Sequence, residues 1–383
     1  MKNLWSDEEA KKIKSDLDLR VYTSNLLGRS DELVLHGGGN TSVKSMVEGE
    51  EILYVKGSGW DLVSIKAEGF SPVRMQTLLE MAQLKSLSDS DMVSQQKAAM
   101  TDKKAPNPSV EAILHAIIPF KVVDHTHADA IVTISNSKNG VKLIDDLFPN
   151  FLIIPYVMPG FILAQKIYEM TQNNFDWENC EGIILHNHGI FTFDDDAKKS
   201  YDKMIAAVTV AEDFLKKNAT VDLDEIEAKD FDMSLLQIDK FMHINQTPLA
   251  LNYASQENLR AFVTRGVLTP EHILRTKRVP LVVEDNDVED TLKHFKVAYE
   301  TYFSAYKTDE IMLDTNPKYA VVKDFGVVSF GKTQKEADVI NDVVSHTMMA
   351  VMRADKLGGY KSISIPDSFD MEYWELEQAK LRK

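Results

Sequence analysis

Apolar residues recur along the chain with two periods. Over residues 6–27 the spacing is helical, through Ile13, Leu17, Val21 and Tyr22. With Ser6 and Glu9 as a capping box, it predicts one helix. Residues 74–87, 92–100, 161–171, 197–217 and 335–356 carry the same period. Shorter apolar runs bounded by turn residues predict strands at 33–35, 51–55, 122–123, 151–156, 182–185 and 190–193.

One pattern occurs twice. Residues 320–330 align without a gap on residues 183–193, with Gly326 on Gly189 and Phe330 on Phe193, and a long helical pattern follows each. Glu271 to Arg275 echoes Glu111 to His115, and the apolar run 281–283 follows as 122–123 follows the first. In this second copy Lys323 replaces His186 and Phe325 replaces His188, so it cannot bind metal as the first could. Between the halves, residues 221–234 turn acidic and lose periodicity. The domains expected are 1–220 and 235–383.

At 383 residues the chain exceeds one ordinary core. Its net charge of −16, with no basic stretch interleaved with aromatics, argues against nucleic acid as a partner. The single cysteine, Cys180, excludes a disulfide framework and fits a reducing cytoplasm. The N-terminus lacks a signal-peptide apolar run, and no stretch reaches the length of a membrane span.

The candidate chemistry centres on residues 108–130. His125 and His127 end an extended run, where side chains two apart share a face, so both can ligate one metal ion. A third ligand is expected from His186 or His188, and spacing does not choose between them. Glu111 and His115 lie one turn apart on one helix face. Two glycine-rich loops, Gly37 to Ser42 and Lys56 to Gly59, each follow a strand candidate; their N–H groups and hydroxyls can hold an anion, with Lys56 supplying charge. In the second half Arg275, Lys277 and Arg278 form the most basic patch, which could reach a substrate or be a solvated helix face.

These segments resemble the class II aldolase/adducin family: Gly39-Asn40-Thr41-Ser42, Lys56-Gly57-Ser58-Gly59, Pro108-Ser109-Val110-Glu111, His125-Thr126-His127 and His188-Gly189 keep its order and rough spacing. The whole chain is similar to the aldolase half of bifunctional rhamnulose-1-phosphate aldolase/short-chain dehydrogenases, with no dinucleotide fingerprint of the other half. The resemblance implies a three-layer α/β fold, a mixed or antiparallel sheet flanked by helices, and then a degenerate copy of similar topology. It implies Zn2+ or another divalent metal on His125, His127 and His188, with Glu111 as acid/base. Gly39, Asn40, Ser58, Gly59 and Ser109 fall on phosphate-binding positions, and Tyr156 is the candidate for the family's tyrosine proton donor. The implied reaction is cleavage of a ketose 1-phosphate, such as L-rhamnulose 1-phosphate, to dihydroxyacetone phosphate and an aldehyde. The alternatives are an epimerase or decarboxylase of a sugar phosphate or sugar acid, and a non-catalytic adducin-like module. A homo-oligomer is implied by the same resemblance.

Overall fold

The alternation of apolar and polar residues in the first half builds a seven-stranded sheet. A computed structural model describes residues 1–382, in two units: Met1–Val132 with Val141–Phe214, and Thr133–Gly140 with the chain from Leu215 onward. The first unit holds β1 (Asn40–Val47), β2 (Glu50–Lys56), β3 (Phe70–Arg74), β4 (Val122–Thr126), β5 (Phe151–Ile154), β6 (Gly182–Leu185) and β7 (Gly189–Asp194). Their order is β3-β2-β1-β4-β7-β6-β5. Every neighbouring pair is antiparallel except β5 and β6, which makes the sheet mixed.

Helices cover both faces. Val123, Phe191 and Phe193 pack with Leu114 and Ile118 around the helix Ala112–Ile117, and with Leu163 and Ile167 of Phe161–Thr171. On the other face Val43 and Val122 meet Leu17, Leu19 and Ala197. There the helices Asp16–Gly28 and Ala197–Asn218 grip β4 from behind: Arg20 pairs with Asp124 at 2.5 Å, both fully buried, and Ser200 donates to Asp124 at 2.5 Å. Asp124 thus faces away from the side that carries His125, as strand alternation requires.

Three expected elements differ. The helix expected over 6–27 is two, Asp7–Ala10 and Asp16–Gly28. Ser15 caps the second by accepting from Asp18 N, while Ile13 and Leu17 keep the apolar period across the break. Residues 33–35 make a turn, with Leu33 and Val34 N–H both on Ser30 O, and the strand starts at Asn40 instead. The strand expected over 151–156 stops at Ile154, because Pro155 has no N–H for the ladder.

The second unit has β8 (Phe241–Asn245), β9 (Leu281–Val283), β10 (Tyr319–Val322) and β11 (Gly326–Gly331), in the order β8-β11-β10-β9. This repeats β4-β7-β6-β5 in order and in sense, with β9 parallel to β10 and the other pairs antiparallel. The two turns agree in conformation as well. Asn187 at φ 59° and Asp324 at φ 57° take the same left-handed position, and His188 N and Phe325 N bond back to Leu185 O and Val322 O. The structure corrects two of the sequence correspondences. Residues 281–283 occupy the place of β5, not β4; β8 is the counterpart of β4. Glu271 to Arg275 lies after β8, whereas Glu111 to His115 precedes β4, so the two segments are not equivalents. Three identical positions, Glu, Ile and Leu, sufficed for the echo, but chain order excludes it.

Residues 221–232 carry no helix or strand, yet they lie on the second unit. Lys229 bonds Asp324, Asn252 bonds Asp224 O, and Phe231 packs on Phe325. Among the described residues no helix is long and apolar enough to cross a membrane.

Candidate metal and catalytic site

β4 and the turn between β6 and β7 bring His125, His127 and His188 together, with one ring nitrogen of each within 4.8 Å of the others. His125 is held most firmly. Its ring stacks on Phe191 with centroids 4.0 Å apart, and its Nδ1 donates to Ile190 O at 3.1 Å. A neutral imidazole has one N–H, so this bond leaves the Nε2 lone pair aimed at the cluster. That Nε2 is 3.2 Å from Nε2 of His127. Zinc–nitrogen bonds of about 2.0–2.1 Å at tetrahedral angles place two nitrogens about 3.3 Å apart. The donor set therefore fits a divalent cation. His186 is buried in the same turn but is not part of the cluster, so geometry selects His188.

The charge state agrees. Burial, then repulsion from His127 and His188, holds the His125 imidazole well below its usual range. Glu111 lies 3.5 Å from Nε2 of His125 through Oε2, and 3.8 Å from Nε2 of His188 through Oε1. Three nitrogen lone pairs and an adjacent carboxylate make a ligand set for a cation. Glycine is required where the backbone crowds this centre. A Cβ on Gly189 would come 2.3 Å from Thr126 O and 3.0 Å from His125 Cε1. On Gly39, at φ +61°, it would come 2.7 Å from His125 O.

Glu111 sits at the start of the helix Ala112–Ile117, where Ser109 Oγ accepts from its N–H at 3.2 Å. A buried hydrogen-bond chain fixes its carboxylate. Asn40 Nδ2 donates to Glu111 Oε2 at 2.6 Å, His115 Nε2 donates to Asn40 Oδ1, and Ser42 Oγ donates to His115 Nδ1 at 2.7 Å. Only one amide orientation presents N–H to a carboxylate, so the direction of the whole chain is set. Burial, with Lys44 and Arg20 nearby, pushes His115 down to about 3 and keeps it neutral. From sequence Ser42 was a candidate only as an anion-binding hydroxyl; its place two residues after Asn40 on a strand turns it the same way as Asn40, and it bonds His115 instead. The buried Arg20–Asp124 pair was missed too, because its partners lie far apart in sequence.

The two glycine-rich loops meet. Lys56 Nζ donates to Gly37 O at 3.1 Å, Ser58 N to Asn107 O at 2.8 Å, and Ser109 N to Lys56 O at 3.1 Å. Burial lowers Lys56 to about 8, opposed by Asp61 and Glu111. Ser58 and Gly59 are exposed, and Gly59 takes φ +87°. Tyr156 lies half-buried just past β5, beside the strand leading to His188. Arg275 is exposed on the second unit. Lys277 is not a solvated cation: it is buried, at φ 60°, with Nζ bonded to Asp314 O and 3.4 Å above the Tyr299 ring.

The description "Class II Aldolase and Adducin N-terminal domain" matches residues 19–215, and "Aldolase class II, second domain" matches residues 227–381. The chain belongs to the class II aldolase and adducin family. An N-terminal class II aldolase domain of a conserved protein from Thermoplasma acidophilum is 40% identical, with a TM-score of 0.51 over 56% of this chain and 99% of that one. A Bacillus subtilis (strain 168) protein named uncharacterized oxidoreductase YuxG is 29% identical over all of this chain and 60% of its own length. The chain thus spans about 60% of that curated relative. This family membership and the aldolase-type fold are what the comparisons share with the geometry of the first unit.

Proposed function

We propose that the protein is a zinc-dependent aldolase that cleaves a ketose 1-phosphate, of the kind of L-rhamnulose 1-phosphate, to dihydroxyacetone phosphate and an aldehyde. The observation that carries this reading is the meeting of three imidazole nitrogens with an oriented carboxylate, Glu111, at 3.5 and 3.8 Å from two of them. A divalent ion on His125, His127 and His188 would supply Lewis-acid polarisation of the substrate's carbonyl and hydroxyl oxygens.

The side chains supply the rest. Glu111 moves the proton at the substrate carbon that becomes nucleophilic when the carbon–carbon bond breaks. Asn40 holds Glu111 Oε2, and Oε1, on the His188 side, carries the proton. His115 and Ser42 prevent the Asn40 amide from flipping. Lys56, Ser58, Gly59 and Ser109 line the joined loops, where the exposed Ser58 and Gly59, the Ser109 hydroxyl and a lysine suit the phosphate. Tyr156, beyond β5, is the candidate group that takes the proton from the hydroxyl of the carbon that becomes the aldehyde, and returns it in the reverse, condensing direction.

The experiment is product analysis. Incubation with a panel of ketose 1-phosphates should release dihydroxyacetone phosphate, detected by reduction with a coupled dehydrogenase. Chelator should abolish release and zinc should restore it. Undiminished release from chelator-stripped protein, or no release from any member of the panel, refutes the proposal.

A further inference from the structure

The two sheets differ at one edge. In the first, β4 is flanked by β1, and Asn40 pairs with His125. In the second, β8 is the terminal strand of the sheet and no strand pairs with its outer side. The gapless alignment of β11 on β7, with the registers Val328↔Ile244 and Phe191↔His125, puts Ile244 at the place of His125.

The outward groups of β8 can be assigned. Phe330 N donates to Lys318 O, so the even residues of β11 face β10 and the odd ones face β8. Gly331, Ser329 and Val327 therefore bond Phe241, His243 and Asn245. Met242 and Ile244 are left to point their backbone groups away from the sheet. Among the described residues, Ile244 N and O make no hydrogen bond, and Met242 O takes only a 3.4 Å bond from Gln334. The Ile244 side chain is 46% exposed. Lysines, prolines or bulges blunt most such edges, and none of them falls within Phe241–Asn245.

We propose that β8 is an interface with β8 of a second copy of this chain, the two strands antiparallel about a twofold axis at His243. The strand is self-complementary in this register. The outward groups of Met242 meet those of the partner's Ile244, and the reverse, so each outward N–H finds a C=O. The side chains that face each other across the join are then Met242 and Ile244, an apolar pair. Lys240 falls opposite the partner's Gln246, and Asp239 opposite the partner's Thr247, so no like charges are paired along the two strands. His243 lies on the axis, its ring bonded to Asp338 at 2.8 Å. Pairing joins two four-stranded sheets into one continuous sheet. The interface does not depend on the proposed reaction.

The test uses the whole chain. At the axis the His243 pair is of the non-hydrogen-bonded type, with Cα atoms about 4.5 Å apart, a separation that a disulfide accepts. His243→Cys should form a covalent dimer on oxidation, run as such without reductant, while wild type, whose Cys180 is buried, should not. Ile244→Pro removes one outward donor and leaves the ladder to β11 intact, and Ile244→Lys puts a charge on the join. Each should halve the particle mass measured by light scattering, with an unchanged circular dichroism spectrum. The Ile244 amide should also exchange hydrogen more slowly as protein concentration rises. Failure of His243→Cys to cross-link, with a mass unchanged by either Ile244 variant, overturns the proposal. Fast Ile244 exchange at every concentration overturns it equally, and would leave the edge open for a strand of a different protein.

Discussion

Two turns in this chain, 186–188 and 323–325, have the same backbone and different chemistry. Both join antiparallel strands, both place a left-handed residue at the centre, and both are followed by a glycine and a long helix. The first ends in His188, in a cluster with His125 and His127. The second ends in Phe325, packed on Phe231, and the counterparts of the other two histidines are Ile244 and Gln246. Strand order and turn geometry are therefore independent of the histidine cluster. A few side chains at fixed positions decide whether the same scaffold presents ligands or an apolar surface.

The largest expected effect comes from exchanging roles at those turns. His188→Ala should lower kcat/KM by about 1,000-fold or more, the scale of losing a centre that stabilises developing negative charge. It should also lower bound metal. Phe325→Ala should leave metal content unchanged and destabilise the protein by about 3–5 kcal/mol, as loss of a buried phenyl does. Chemical denaturation and metal analysis of the pair separate the two outcomes. If Phe325→Ala depletes metal, the comparison between the sheets fails.

Next in size is Glu111→Gln, which keeps the shape and the bond from Asn40 only if the amide turns. Turnover should fall about 100- to 10,000-fold, the usual range for a positioned acid/base. Metal content should hold. Turnover within a factor of a few of wild type would assign the proton transfer to another group.

A smaller loss is expected from His115→Phe, which leaves Asn40 without its orienting donor. About 10- to 100-fold in kcat, with the metal retained, is the scale for groups that hold a ligand or base in place. Loss confined to KM would show that Asn40 acts on substrate and does not orient Glu111.

The smallest effect is on stability against pH. His115 has a folded value of about 3 against an ordinary 6.5. Below 6.5 the unfolded chain takes up a proton that the folded chain refuses. Stability from this group is therefore complete above 6.5 and is lost as pH falls toward 3, by at most about 1.4 kcal/mol per pH unit. Urea midpoints of wild type and His115→Phe should converge on acidification. Parallel curves would place the proton uptake elsewhere.

Much of this was legible in the residues because the signals were local. The long helices, the β6–β7 pair and the His-x-His strand end each lie within one stretch of chain. What escaped was non-local or shared a period with its surroundings. The break at Ser15 lay hidden inside a continuous helical spacing. The Arg20–Asp124 pair, and the bonds that join the Asn40–Ser42 strand pair to the Glu111–His115 helix pair, link residues far apart in sequence, which no spacing rule connects. Lys277 read as a solvated cation from its basic neighbours, yet packing against Tyr299 buries it. The choice of His188 over His186 rested on family resemblance until the turn geometry supplied a physical reason.

The most direct measurement is a zinc titration of metal-stripped protein, read by calorimetry or by mass spectrometry under native conditions, for wild type and His125→Ala. Three converging imidazoles predict one tightly bound ion per chain in wild type and none in the variant. Absence of binding by wild type, or equal binding by both proteins, contradicts the existence of the site.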